Sequence, residues 1–309
     1  MNVDVKHLRR EFGKTIAVDD VSFAFHDPHV FGFVGPNGAG KTTTMRILAT
    51  LDEPSGGDAF IDGTSITEYP EEARRCIGFV PDSLPTHSDI TVHEYIDFFA
   101  RAYGLKRGER TRAVDTVEDF TQLTDIREKT LKALSKGMKQ RVSLARALVH
   151  DPPILIMDEP AAGLDPRARV ELRELLRLLA ERGKAILISS HILTELTEIC
   201  SGVIIIEQGK ILETGTIREV AAKCAPTRTI VIRPLDRVEA LQRELLQMPA
   251  VNDVKIAGPE ILAEVDGDEE ICCDILAAIL ARDFRIIEYS QKKADLEHIF
   301  MSVTKGGVQ

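Results

Sequence analysis

The sequence predicts an α/β fold centred on a parallel sheet, with a smaller α+β unit after it. Three observations carry this. An apolar run, Val30–Val34, breaks into Gly35-Pro36-Asn37-Gly38-Ala39-Gly40-Lys41-Thr42 and resumes at helical spacing through Met45, Ile47 and Leu48, which reads as strand, tight loop and helix start. Two more apolar runs, Ile154–Met157 and Ala185–Ser190, flank the charged amphipathic stretch 169–182. Strand, helix, strand in that order is a parallel βαβ unit. Near Ala225-Pro226-Thr227 the chain changes character, and from Thr229 onward it follows the βαββαβ order of a ferredoxin-like domain.

Taken in order, residues 2–34 alternate in short strands at 3–5, 16–18, 21–25 and 30–34. Phe12 precedes Gly13-Lys14 in the first turn. An aromatic there is either a core residue or a flat ring on which an adenine stacks, a contact worth about 1–3 kcal/mol; the loop at Gly35 favours stacking. After the loop helix, the turn cluster 53–58 leads into a strand at 59–62, and Ile77–Val80 is a further short strand. Residues 82–89 form a loop, and helical patterns follow at 92–103, 110–123 and 135–149, a helical region inserted between strands. Residues 203–207 and 210–213, split by Gln208-Gly209, read as a closing hairpin.

In the second unit the spacing predicts strand 229–233, helix 237–247, strands 251–257 and 261–265, helix 269–282, strand 285–290 and a short helix at 294–302. It holds no Gly-rich loop and no cluster of catalytic residue types, so it reads as a packing or dimer-supporting appendage. The expected domains are 1–222, with the helical subdomain at about 82–150, and 228–309. No internal repeat of the first domain is present.

At 309 residues and 44% hydrophobic content the chain supports two domains with real cores. A formal charge of −10 exerts no global pull toward nucleic acid or anionic lipid. The five cysteines (Cys76, Cys200, Cys224, Cys272, Cys273) are odd in number and lack metal-ligand spacing, which fits reduced thiols in a cytosolic protein. The first residues carry no apolar signal segment, and no apolar run approaches the roughly 18 residues of a spanning helix. If the protein acts at a membrane, another chain crosses it.

The chemistry follows from residue types. Glycines let the backbone of Gly35, Pro36, Asn37, Gly38, Ala39 and Gly40 approach an anion closely, and its N–H groups converge with the positive end of the next helix on phosphates. Lys41 reaches the terminal phosphates, the Thr42 hydroxyl ligates Mg²⁺ and Thr43 adds a phosphate contact. Asp158, at the end of a buried strand, is placed to hold Mg²⁺, and Glu159 to polarise an attacking water as general base. Ser135 caps a helix whose first turn Gly137 leaves uncovered, a second anion site. One chain already holds its phosphates at 35–42, so this site is free for those of another chain.

Taken together, Gly35–Thr42, residues 134–140, residues 154–159, Ala162-Gly163-Leu164-Asp165 and His191 resemble, in order and spacing over about residues 1–220, the ATP-binding subunits of ABC transporters. That resemblance implies the family fold: an antiparallel β subdomain, a RecA-like parallel sheet and a helical insert. It implies an ATPase using ATP and Mg²⁺, in which two such chains close head to tail, each phosphate loop capped by the partner's Ser135 and Gly137. Asp165 then lies in the loop coupling the sites, and His191 contacts the γ-phosphate. LSKGMKQR stands where the family signature reads LSGGQ, with Lys136 for the first Gly and Met138 for the Gln. A second departure is Asp82, where the family has Gln: it can bind the metal or a water, but is shorter and cannot donate a hydrogen bond. The extension ending in 295–301 is similar to ATP-binding subunits of ABC-2 type exporters.

The resemblance also implies partners and place: an integral-membrane permease on a separate chain, a homodimer or a heterodimer with a similar ATPase, no nucleic acid, and the cytoplasmic face of the cell membrane. An ABC-type ATPase acting on a ribosome or DNA is the alternative. Against it stand the single nucleotide domain, the absence of long heptads and zinc-binding cysteines, and the acidic balance. A GTPase would need a guanine-reading Asn/Thr-Lys-x-Asp segment, which is absent.

Overall fold

The first antiparallel pair is longer than the sequence pattern suggests. In the computed structural model, which describes residues 1–27, 29–84, 89–190, 196, 199–224 and 227–291, β1 (Asn2–Phe12) and β2 (Thr15–His26) run as continuous strands. Their register shifts after Val5, after Leu8 and after Arg10. His7 (φ 52) and Asp20 (φ 57) take left-handed backbone there, with His7 Nδ1 2.7 Å from Asp20 Oδ1. Such bulges interrupt the period-2 pattern, so three short stretches at 3–5, 16–18 and 21–25 stand for two long strands. With β4 (Gly56–Ile61) and β5 (Thr64–Ser65) they form a sheet of order β2-β1-β4-β5.

The chain divides into compact units at Met1–Thr216 and Ile217–Gln309. The central sheet of the first holds β3 (Val30–Val34), β6 (Ile77–Val80), β7 (Ile154–Met157), β8 (Ala185–Ser190), β9 (Gly202–Glu207) and β10 (Lys210–Thr216). Its order is β10-β9-β3-β8-β7-β6, parallel except for the edge strand β10. Every residue of β3, β7 and β8 is buried, as expected for strands covered on both faces. The antiparallel sheet packs on this one through aromatic rings: Phe23 lies 5.5 Å from Phe33, and Phe25 6.3 Å from Phe31, centroid to centroid.

Around the sheet stand α1 (Lys41–Leu48), α2 (Pro70–Cys76), α3 (Val92–Ala102), α4 (Arg107–Phe120), α5 (Lys136–Leu148) and α6 (Pro166–Glu181). The expected helical region appears as α3, α4 and α5; a capping box between Thr91 and Glu94 starts α3. Helix α2 has no counterpart in the sequence reading, because only Ala73 is buried and no apolar stripe marks it. Pro70 at its first turn, Glu71 and Glu72 near its start and Arg74 and Arg75 near its end suit the helix dipole instead. Helix α5 crosses β6 so closely that a Cβ at Gly78 would collide with the Ala147 carbonyl, and Arg146 donates to the Phe79 carbonyl at 2.6 Å.

The second unit contains α7 (Ile217–Cys224), β11 (Thr227–Pro234), α8 (Val238–Leu245), β12 (Val251–Ala257), β13 (Glu260–Asp266), α9 (Glu269–Ala281) and β14 (Ile286–Gln291). The order β12-β13-β11-β14, with each neighbouring pair antiparallel, is the ferredoxin-like arrangement. Its core draws on Ile230 and Ile232 of β11, Ile261, Ala263 and Val265 of β13, Leu241 and Leu245 of α8, and Ile275 and Ile279 of α9. The helix expected at 294–302 lies outside the described residues. Among the described residues no helix is long and apolar enough to cross a membrane.

Candidate functional site

Between β3 and α1 the loop closes on itself. Gly38 (φ 81) and Gly40 (φ 103) occupy backbone conformations that side-chain-bearing residues rarely adopt. A Cβ at Gly35 would collide with the Ile206 carbonyl of β9, and one at Gly40 would lie 2.5 Å from the Ala17 carbonyl of β2. The glycines are thus required by neighbouring backbone as well as by any ligand. Ala39 N–H donates to the Pro36 carbonyl at 3.1 Å, and the Thr44 hydroxyl donates to the Gly40 carbonyl at 2.9 Å.

Lys41, only 6% exposed, donates to the Gly35 and Pro36 carbonyls at 2.7 and 3.1 Å. Burial lowers its pKa, while the charges of Glu159 and Asp158 work the other way. Helix α1 has no acidic residue in its first turn and no side chain capping Gly40, so its leading N–H groups and positive dipole end are left to an anion. Pro36, Asn37 and Gly38 are exposed at the loop's crest, and the Thr42 side chain is exposed beside them, with Thr43 half-buried.

The carboxylates arrive from β7. Asp158 follows its last residue and is 3% exposed, its N–H donating to the Val80 carbonyl at 2.8 Å. Glu159 adopts left-handed backbone (φ 47), and its Oε1 lies 3.8 Å from Lys41 Nζ. The structure therefore brings Lys41, Asp158 and Glu159 to one place. It also adds a residue that sequence reasoning missed. Ser189 of β8, fully buried, donates its hydroxyl proton to Asp158 Oδ1 at 2.7 Å and accepts the Glu159 N–H at 2.8 Å. The signal that could have found it is the pair of hydroxyls ending the otherwise apolar run Ala185–Ser190.

Other expected residues stand apart. Ser135 caps α5, accepting the Met138 N–H at 3.3 Å, and is exposed beside half-buried Gly137. Asp165 caps α6 by accepting the Ala168 N–H at 2.9 Å. The two helix tips meet: a Cβ at Gly137 would touch Ala168 at 3.3 Å, and one at Gly163 would meet Lys136 Nζ at 2.5 Å. No described hydrogen bond or ion pair joins Ser135 or Gly137 to the phosphate loop of the same chain. Phe12 ends β1, is 49% exposed and carries the Arg10 guanidinium 4.6 Å above its ring. Asp82 is exposed just past β6 and makes no hydrogen bond or ion pair with the other site residues among those described. His191 lies outside the described residues.

A glycine loop, a buried lysine and two carboxylates on the second strand over thus stand together in the first unit. The family model for ABC transporters matches residues 18–162. Nod factor export ATP-binding protein I of Burkholderia pseudomallei is 33% identical over 302 residues, covering 98% of this chain and 96% of that protein. The chain belongs to the ATP-binding subunits of ABC transporters. As an ABC ATPase it binds and hydrolyses ATP. It is also 28% identical to the linearmycin resistance ATP-binding protein of Bacillus subtilis, over 98% of each chain. Among solved structures, an ATP-binding subunit of an ABC transporter superposes with a TM-score of 0.66 at 30% identity, over 72% of this chain and 93% of that one. An ATP-binding cassette in a dimeric post-hydrolysis state with ADP and Pi superposes with a TM-score of 0.63 at 25% identity, over 69% and 98%.

Proposed function

We propose that this ABC ATPase powers export through a permease on a separate chain, two ATPase chains closing around two ATP molecules at the cytoplasmic face of the membrane. The convergence of Lys41, Asp158 and Glu159 beneath the glycine loop carries the hydrolytic half of the reading. The names of the relatives, for Nod factor export and linearmycin resistance, support export. The first unit, expected at 1–222, serves as the nucleotide-binding domain, and the second, expected at 228–309, as an accessory domain; the compact units divide a few residues earlier, at Thr216 and Ile217.

In this reading the loop N–H groups and Lys41 hold the β- and γ-phosphates, Phe12 stacks on the adenine, and Glu159 takes the proton of the attacking water. Ser135 and Gly137, which have no described hydrogen bond or ion pair to their own chain's loop, cap the partner's γ-phosphate, and His191 contacts the same group. The donor set suits Mg²⁺: the Thr42 hydroxyl and Asp158 Oδ2, which has no described protein partner, are hard oxygens. Asp82 stands by as a further oxygen ligand. Bound there, Mg²⁺ would supply positive charge to offset that developing on the phosphates. No group of three or more His, Cys, Asp or Glu among the described residues forms a metal cage.

Glu159→Gln keeps the shape of the side chain and removes the base. We expect ATP binding within a few-fold of the parent and turnover lower by about 10²–10⁴. A dimer trapped by ATP and Mg²⁺ should appear in size-exclusion chromatography. Parental turnover in this variant overturns the assignment.

A further inference from the structure

We propose that Ser189 is the positioning residue of the hydrolytic centre, setting both carboxylates through one hydroxyl; this rests on the roles given above to Asp158 and Glu159. The topology makes the placement possible. Strand β8 lies between β3, which leads into the phosphate loop, and β7, which ends at the carboxylates. Phe33 pairs with Ser189 on one side, and Met157 pairs with Ile188 on the other, so Ser189 sits level with Asp158.

A hydroxyl at 0% exposure near the end of a buried strand is unfavourable unless it is hydrogen-bonded. Ser189 is: its proton goes to Asp158 Oδ1 at 2.7 Å, and its oxygen accepts the Glu159 N–H at 2.8 Å. Each bond has a separate consequence. The first occupies one Asp158 oxygen and fixes the carboxylate plane, leaving Oδ2 as the oxygen for a cation. The second tethers Glu159 in left-handed backbone (φ 47), a conformation that non-glycine residues rarely adopt. In that conformation the Glu159 carboxylate comes within 3.8 Å of Lys41 Nζ, over the phosphate loop. Without the hydroxyl, Asp158 Oδ1 and the Glu159 N–H lose the partner they share. Supporting groups of this kind typically change metal affinity or activity by about 10–100-fold when removed.

The test uses the full-length chain with Ser189→Ala and Ser189→Thr. For Ser189→Ala we expect kcat to fall by about 10–100-fold, with the KM for ATP within about threefold of the parent. Independently of turnover, Mn²⁺ standing in for Mg²⁺ and followed by electron paramagnetic resonance with ATP present should need about tenfold more metal for half-saturation. Ser189→Thr, which restores the hydroxyl, should recover both readouts. If Ser189→Ala does not fold, Ser189→Cys keeps the shape while weakening both hydrogen bonds and should show the same two losses. Parental kcat and parental Mn²⁺ half-saturation in Ser189→Ala overturn the proposal, as does a loss that Ser189→Thr leaves unrepaired. A parallel Glu159→Gln control separates the failures. If that control is inactive while Ser189→Ala is unimpaired, only the Ser189 role falls; if the control turns over normally, the reading of the whole centre falls.

Discussion

Replacing Gly40 by alanine probes how far the phosphate loop is held in shape by the fold rather than by a ligand. Gly40 has φ 103 and ψ 0, and an added methyl would stand 2.5 Å from the Ala17 carbonyl oxygen of β2. Positive φ costs an alanine about 1–2 kcal/mol, and forcing a methyl into packed backbone adds about 1–3 kcal/mol. Together they amount to about 2–5 kcal/mol. The loop can shed part of this by swinging away from β2, but its N–H groups then leave the phosphates. The penalty is therefore divided between stability and ATP affinity, each 1.4 kcal/mol in affinity being about tenfold. Gly38 is the internal control: φ is 81, yet nothing lies within 4 Å of its would-be Cβ, so Gly38→Ala meets the conformational cost alone. Urea unfolding and equilibrium ATP binding on both variants give the two parts. The summed loss for Gly40→Ala should exceed that for Gly38→Ala by about 1–3 kcal/mol. Equal sums, or a Gly40→Ala protein with parental unfolding and affinity, refute the reasoning.

Phe33→Ala removes a fully buried ring that packs against Phe23 between the two sheets, and should destabilise the first unit by about 3–5 kcal/mol in urea unfolding. His150, stacked on Tyr103 with ring centroids 3.6 Å apart, has its pKa pushed by burial from 6.5 down to about 4. The unfolded chain therefore binds a proton that the folded chain refuses between those values. Stability is unaffected above pH 6.5 and falls as the pH drops toward 4. Allowing for partial exposure the loss is about 1–3 kcal/mol. His150→Phe keeps a flat ring against Tyr103 and should flatten that part of the pH–stability profile; an unchanged profile excludes His150 as its source.

Much of the site was legible because its geometry is local. Gly35, Gly38 and Gly40 announce a loop that only glycine can form, and Lys41 and Thr42 follow it directly. Asp158 and Glu159 end a short run of apolar residues that reads as a buried strand. The hidden parts involve no contiguous pattern. Bulges at His7 and Asp20 broke the alternation of β1 and β2, and α2 buries only Ala73. The guanidinium over Phe12 comes from Arg10 on the same strand, two residues away, where side chains share a face.

Sequence alone determined the chemistry of this protein: a glycine loop, a lysine and a pair of acids specify a nucleotide-hydrolysing centre wherever they are brought together. The tertiary structure decided which strand stands between them. Strand order arises from pairings far apart in the chain, so no local pattern states that β8 separates β3 from β7. That insertion puts the Ser189 hydroxyl between the Asp158 carboxylate and the Glu159 N–H, two groups far from it in the chain.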